Sequence, residues 1–197
     1  MSRPNNHYLQ KKSGKVTDMT SRTRDALTPA SVFVFLTIVL GIATAPLTTV
    51  PAHAQRGLIG QPQPGFTLPD LNGRNHTPDD WANQVLVVNF WATWCTPCRK
   101  EIPMFNGLQA EYADEGVTFV GIAIDDDKAV KRFMELIPID YPVLIGGMDA
   151  VTLSQNYGNL SGALPFTVFV DRQGNIGAIA SGGLNEAVTR RQIDKLL

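Results

Sequence analysis

Cysteine and histidine are scarce in this 197-residue chain, which has two of the first and three of the second. Two thiols cannot build a disulfide-laced scaffold or a four-cysteine zinc site. An excess of positive charge is missing as well. Seventeen Lys and Arg stand against eighteen Asp and Glu, a formal net charge of −1, so nothing in the balance recommends nucleic acid as a partner. A long apolar run is also lacking: the most hydrophobic stretch lies between Pro29 and Pro46 and is diluted by Thr37, Gly41 and Thr44. It falls short of the roughly 20 residues that cross a bilayer. Core material is present, however. With 44% hydrophobic and 18% charged residues, wholesale disorder is excluded, and the length suits one ordinary domain with a tail. No internal repeat is visible.

The charges are unevenly placed. Residues 1–29 carry six basic and two acidic side chains, and no charged residue follows from Ala26 to Gln55. Val32 to Leu36 and Ile38 to Leu40 form a short apolar core, and Ala52-His53-Ala54 supplies small residues for a signal-peptidase site. This pattern predicts a secretory signal peptide over residues 1–54 and a periplasmic or otherwise extracytoplasmic protein. The alternative is an uncleaved membrane anchor over residues 30–47. No cysteine stands near the exit, which excludes a lipid anchor there, and Arg22-Thr23-Arg24 is not a twin-arginine pair. Residues 55–64 are rich in Gln, Gly and Pro without a period and read as a linker to a domain over residues 65–197. Beyond Ala54 the chain has eleven basic and sixteen acidic residues, so the basic excess belongs to the leader.

Within that domain the pattern alternates between strand and helix. Phe66 to Leu68 reads as a short strand, Asn72-Gly73 as a turn, and Thr77-Pro78-Asp79-Asp80 as the start of a single helical turn. Val85 to Phe90 is a continuous apolar run of the kind that is buried on both faces of a sheet. After Cys95 the spacing turns helical through Ile102, Phe105, Leu108 and Tyr112 to Gly116, with Pro103 expected to kink it. Val117 to Ile124 predicts a second buried strand, Asp127 to Ile137 a helix, Tyr141 to Ile145 a strand, and Val151 to Tyr157 a short helix. A hairpin follows across Asp171 to Asn175, and then a final helix over Asn185 to Leu197. The order predicts an α/β domain with helices on both faces of a central sheet.

Trp94-Cys95-Thr96-Pro97-Cys98 sits where the buried strand gives way to a helix. The first N–H groups of a helix have no intrahelical partner and carry partial positive charge, so a thiolate at Cys95 is stabilised there. Cys98, three residues on, faces the same side and can close a small ring with it. The chemistry this predicts is thiol–disulfide exchange, with Cys95 attacking and Cys98 resolving. Rival uses of the pair fare worse. A zinc site lacks further ligands, since His76 is the only histidine after the leader. Covalent haem requires His directly after the second Cys, where Arg99 stands. A four-residue disulfide loop constrains an unfolded chain little, which leaves a purely structural bridge little to do. Asp125-Asp126-Asp127 is read as a capped strand-to-helix turn in preference to a metal site, and His76 as a surface residue.

The segment from Val88 to Pro103 (VNFWATWCTPCRKEIP) resembles the active-site stretch of the thioredoxin superfamily, and more narrowly that of the TlpA/ResA-type exported thiol–disulfide oxidoreductases. The likeness continues through Phe119 to Asp125 and Gly162 to Asp171 and so covers nearly all of residues 62–197. It implies a thioredoxin-like fold with a mixed sheet and a βα insertion around Tyr141 to Tyr157. It further implies Cys95 as an exposed nucleophile, Cys98 as the buried resolving thiol, Pro165 as a cis-proline facing the pair, and Leu164 offering backbone groups to an incoming peptide. Trp94 falls on the docking surface. Glu101 matches a carboxylate linked to proton handling at the resolving thiol, although a first-turn acid complementing the helix dipole would have the same sequence. One position departs: Asn89 stands where thioredoxin places a buried Asp, and an amide cannot serve as a base. By resemblance the protein reduces disulfides, with apocytochrome c cysteine pairs or copper-site proteins among the substrates. Its electrons come from a membrane thiol-transfer protein, and it works as a monomer without an organic cofactor. A metallochaperone of this fold would show CxxxC and a distant His, and a peroxiredoxin would lack the Trp-Cys-x-x-Cys turn. The direction of exchange, reductase against oxidase or isomerase, stays open.

Overall fold

A computed structural model describes residues 57–197. The signal peptide, its cleavage site and the alternative anchor fall outside the described residues. Among those described, no helix is long and apolar enough to cross a membrane.

The sheet is built around β3 (Val85–Trp91), every residue of which is buried. A strand can be apolar throughout only where both faces are covered, and two separate cores meet it here. On one face Val85, Val87 and Trp91 pack with α1 (Thr96–Tyr112), α2 (Asp127–Leu136) and α4 (Glu186–Ile193). On the other, Leu86, Val88 and Phe90 pack with Leu68, Trp81 and α3 (Gly147–Asn156). β4 (Val117–Ala123) runs parallel to β3, and β5 (Val143–Ile145) runs parallel to β4. β6 (Phe166–Val170) and β7 (Ile176–Ser181) complete the other side as antiparallel strands, giving the order β5-β4-β3-β6-β7. This is the mixed sheet with helices on both faces that the sequence predicts, and β5 with α3 forms the βα insertion.

Several local details differ from the sequence reading; the first short strand, for one, covers Leu68–Pro69 in place of Phe66 to Leu68. α3 starts at Gly147, four residues before Val151, because the backbone turns at Gly146: a Cβ there would lie 2.4 Å from that of Ala150. α4 ends at Ile193, short of the chain end, and is capped by Asn185. α1 continues through Pro103, whose ring lies on the exposed side. The N–H that proline lacks would have served the Arg99 carbonyl, also on that side, so water can replace it.

The segment read as a linker is clamped to the domain over its described part. Gly60 N–H donates to Ile176 O, Ile176 N–H to Gln61 O, and Gln63 N–H to Gly174 O, at 2.7–2.8 Å. The Tyr157 hydroxyl reaches Gln63 Oε1 at 3.0 Å. Backbone pairing needs no hydrophobic pattern, which is why a polar, aperiodic stretch can pair with the hairpin turn and the first residue of β7. At the opposite edge, β1 (Leu68–Pro69) pairs with β2 (Asn75–His76) across the Asn72-Gly73 turn, and Asp70 bridges to Leu144 of β5. Removing residues up to Pro64 is predicted to lower stability by about 2–4 kcal/mol, at about 1 kcal/mol for each hydrogen bond lost. Equal melting temperatures for chains that begin at Gly57 and at Gly65 would show that the clamp contributes nothing.

Candidate active site

Where β3 ends, the chain makes a four-residue turn and starts α1. Cys95 is the N-cap: its backbone is extended, and its Sγ accepts the Cys98 N–H at 3.3 Å. The Cys95 amide donates to Ala92 O, which closes the turn. Cys95 and Cys98 are joined by a disulfide with Cα atoms 5.3 Å apart. Pro97 stands in the first turn, where its missing N–H costs no intrahelical bond. The first turn holds no acid, and the basic Arg99 and Lys100 follow the pair in sequence, so the helix N-terminus keeps its positive character at Cys95.

The resemblance implies an exposed Cys95, and here the structure differs: Cys95 is 5% exposed and Cys98 1%. The Cys95 sulfur is bonded to that of Cys98, which lies on the buried face of α1. The exposed rim consists of Trp94, at 68%, with Thr96 and Pro97.

Asp125, read only as part of a capped turn, holds this loop from the neighbouring strand. Its Oδ2 accepts both the N–H of Thr93, at 3.0 Å, and its hydroxyl, at 2.6 Å. The cap of α2 is Asp126, which accepts the Ala129 N–H at 2.8 Å. The pairing of Trp91 with Ala123 explains the latch: parallel strands deliver their C-terminal ends side by side, so Asp125, two residues beyond β4, reaches Thr93, two residues beyond β3.

Glu101 lies one turn after Cys98 on the same buried face of α1 and is 4% exposed. It therefore stands beyond the first turn, and the reading of a first-turn acid complementing the dipole falls. Oε1 accepts the Leu184 N–H at 2.6 Å, while Oε2 is buried with no partner among the described residues. Burial pushes the carboxyl up to about 7, against the opposing pull of the Leu184 bond. Tyr141 is pushed up by its own burial and, secondarily, by the charge of Glu101. Asn89 shares the face of β3 that carries Val87 and Trp91, and its Nδ2 donates to Thr167 Oγ1 at 3.0 Å across the β3–β6 pair.

Phe166 is in register with Phe90, so the residues before β6 come to the end of the sheet from which α1 departs. Pro165 is buried there after a cis peptide bond from Leu164, and its carbonyl accepts the Gly182 N–H at 2.8 Å. The loop from Gly182 to Leu184 thus touches Pro165 and Glu101 together, and a Cβ on Gly183 would lie 3.9 Å from that of Pro97. All six residues singled out from the sequence, Trp94, Cys95, Cys98, Glu101, Leu164 and Pro165, collect at this one end. His76 lies elsewhere and is not a plain surface residue. Its ring stacks on Trp81 at 5.6 Å, between Asp70 and Asp80, with a carboxylate oxygen of each at 3.4 Å.

A mixed sheet of this order with a vicinal cysteine pair capping the first long helix defines a thioredoxin-like thiol–disulfide oxidoreductase. The chain belongs to the AhpC/TSA family, whose model matches residues 59–179. Among curated proteins it is 30% identical over 139 residues to the thiol-disulfide oxidoreductase ResA of Geobacillus kaustophilus, covering 70% of this chain and 78% of that one. It is 33% identical over 139 residues to the thioredoxin-like protein YneN of Bacillus subtilis, covering 68% and 78%. Among solved structures it is similar to a thioredoxin-family thiol:disulfide interchange protein from Chlorobium tepidum TLS. That match has a TM-score of 0.61 at 30% identity and covers 68% of this chain and 94% of the other.

The buried carboxyl makes a prediction about stability. With a pKa of about 7 when folded against an ordinary 4.5 for a free glutamate, Glu101 keeps a proton that the unfolded chain releases. Its contribution is complete below about pH 4.5 and is lost as pH rises through about 7. Glu101→Gln keeps a neutral acceptor for Leu184 N–H, so its stability relative to the parent, read by denaturant unfolding, should rise from about pH 5 to about pH 8. A difference that stays constant over that range would contradict the buried, proton-holding carboxyl.

Proposed function

We propose that this protein reduces disulfides in exported proteins through Cys95 and Cys98. The observation that carries the reading is the N-cap: Cys95 Sγ already receives the Cys98 N–H at the positive end of α1, so a thiolate there has its stabilising donor in place. The reduced Cys95 thiolate attacks one sulfur of a substrate disulfide, forms a mixed disulfide and expels the other sulfur as a thiolate. The Cys98 thiolate then attacks Cys95 Sγ. The substrate leaves with two electrons and takes up two protons, and the enzyme is left with the Cys95–Cys98 disulfide. Glu101, whose carboxyl lies on the same face as Cys98 and is pushed up to about 7, is partly ionised at neutral pH and in that form takes the proton that Cys98 gives up. Asn89 is spent on Thr167 and, as an amide, offers no base.

Trp94 provides an exposed aromatic edge beside the nucleophile, with Pro165 behind it. The N–H and C=O of Leu164 have no partner among the described residues, so an extended substrate segment can pair with them. The substrates are exported proteins whose cysteine pairs must be reduced before a haem or copper centre is installed. Electrons return to the pair from a membrane-bound thiol donor, because an oxidising compartment supplies no reduced glutathione pool. The relative named a thiol-disulfide oxidoreductase supports this reading.

A synthetic peptide closed by one intramolecular disulfide tests it. Reduced Cys98→Ser should accumulate a stoichiometric mixed disulfide through Cys95, visible by intact mass, and Cys95→Ser should form none. Sustained turnover by Cys95→Ser, or by Cys98→Ser without the adduct, would overturn the assignment of attacking and resolving thiols.

A further inference from the structure

Between α3 and β6 the chain makes a loop whose outer residues, Leu160 to Ala163, are exposed, with Leu160 at 55%. Its base is a single polar residue, Asn159, which is 1% exposed. A buried amide requires partners, and each part of this one has them. Nδ2 donates to Ala163 O at 3.0 Å and lies 3.5 Å from Ser154 Oγ on α3. Oδ1 is 3.4 Å from the Ser161 hydroxyl. The backbone joins in: Asn159 N–H donates to Ser154 O, and Gly162 N–H to Asn159 O. The amide cannot be turned over without placing its oxygen against the Ala163 carbonyl. It therefore fixes which way that carbonyl points, one residue before Leu164.

We propose that Asn159 is a positioning residue for substrate. By tying the Ala163 carbonyl inward it turns outward the Leu164 N–H, which lies on the same trans peptide plane, and so presents the donor on the edge along which an extended disulfide-bearing peptide lies. The proposal rests on the peptide-docking role given above to Leu164. Through Ser154 the same amide anchors that edge to α3, so the insertion helix contributes to peptide binding without touching the cysteines. Nothing in the sequence around Asn159 distinguishes it from an ordinary loop asparagine; only its burial and the carbonyl it holds do so.

Asn159→Asp tests this, because it keeps the shape and removes the donor. KM for a disulfide-closed peptide should rise about tenfold, with kcat changed less than twofold, the signature of lost ground-state binding. The reduction potential of Cys95–Cys98 should stay at the parent value. Gly162→Ala gives a second route that leaves the core alone. Gly162 has φ +66° and open space around its missing Cβ, so the substitution strains only the loop, and it should raise KM in the same direction. A parental KM in both variants would overturn the proposal, as would a fall in kcat or a shifted potential with KM unchanged. The docking reading beneath it fails separately: in that case the parent enzyme itself would reduce the peptide with no better kcat/KM than 2-hydroxyethyl disulfide.

Discussion

Everything at this site depends on one junction, where a strand buried on both faces must become a helix within four residues. β3 has no freedom, since its residues are locked between β4 and β6 and covered by helices on either side. α1 is equally fixed by Ile102, Phe105, Leu108 and Tyr112 against the same sheet. The turn between them places Cys95 at the only point where a sulfur can both cap the helix and face its buried partner. Asp125, reaching across from β4, holds Thr93 and so defines the approach to that point. The reactive pair is thus positioned by rigid elements and by hydrogen bonds to backbone, the arrangement that keeps reacting atoms in place without further ordering.

Around the junction the protein separates what must be neutral from what must be charged. The surface beside the cysteines carries Arg99 and Lys100, which favour a thiolate, while the interior beneath them holds a carboxyl pushed toward neutrality by burial. A chain with Asp in place of Asn89 would put its acid on the sheet. Here the acid is on the helix, at Glu101, and the sheet position is occupied by a neutral amide paired with Thr167. The buried acid is therefore carried by the helix that also carries the cysteines.

Much of this was legible in the sequence, and the reasons differ by residue. The run from Val85 to Trp91 announces a central strand because burial on both faces leaves no polar alternation to misread. The turn from Trp94 to Cys98 is legible because a cysteine pair at the start of a helix admits few other uses. What escaped depends on distant partners. Glu101 is singled out by the resemblance alone; its burial, completed by a backbone amide 83 residues away, cannot be told from a sequence in which it follows the charged Arg99 and Lys100. Asp125 needs the parallel register of β3 and β4 before its reach to Thr93 can be seen. Gly60 to Gln63 is polar and aperiodic, and it joins the domain through main-chain bonds that carry no side-chain signature. The shielding of Cys95, which is 5% exposed, leaves no mark in the residue pattern.

The central claim is that this geometry serves reduction. The most direct measurement is the reduction potential of Cys95–Cys98, obtained by equilibrating the folded domain with a thiol redox buffer. The account predicts a value at or below about −230 mV, in the range of the reducing members of the superfamily. A value of about −120 to −180 mV would contradict it and turn the same residues toward disulfide formation or isomerisation.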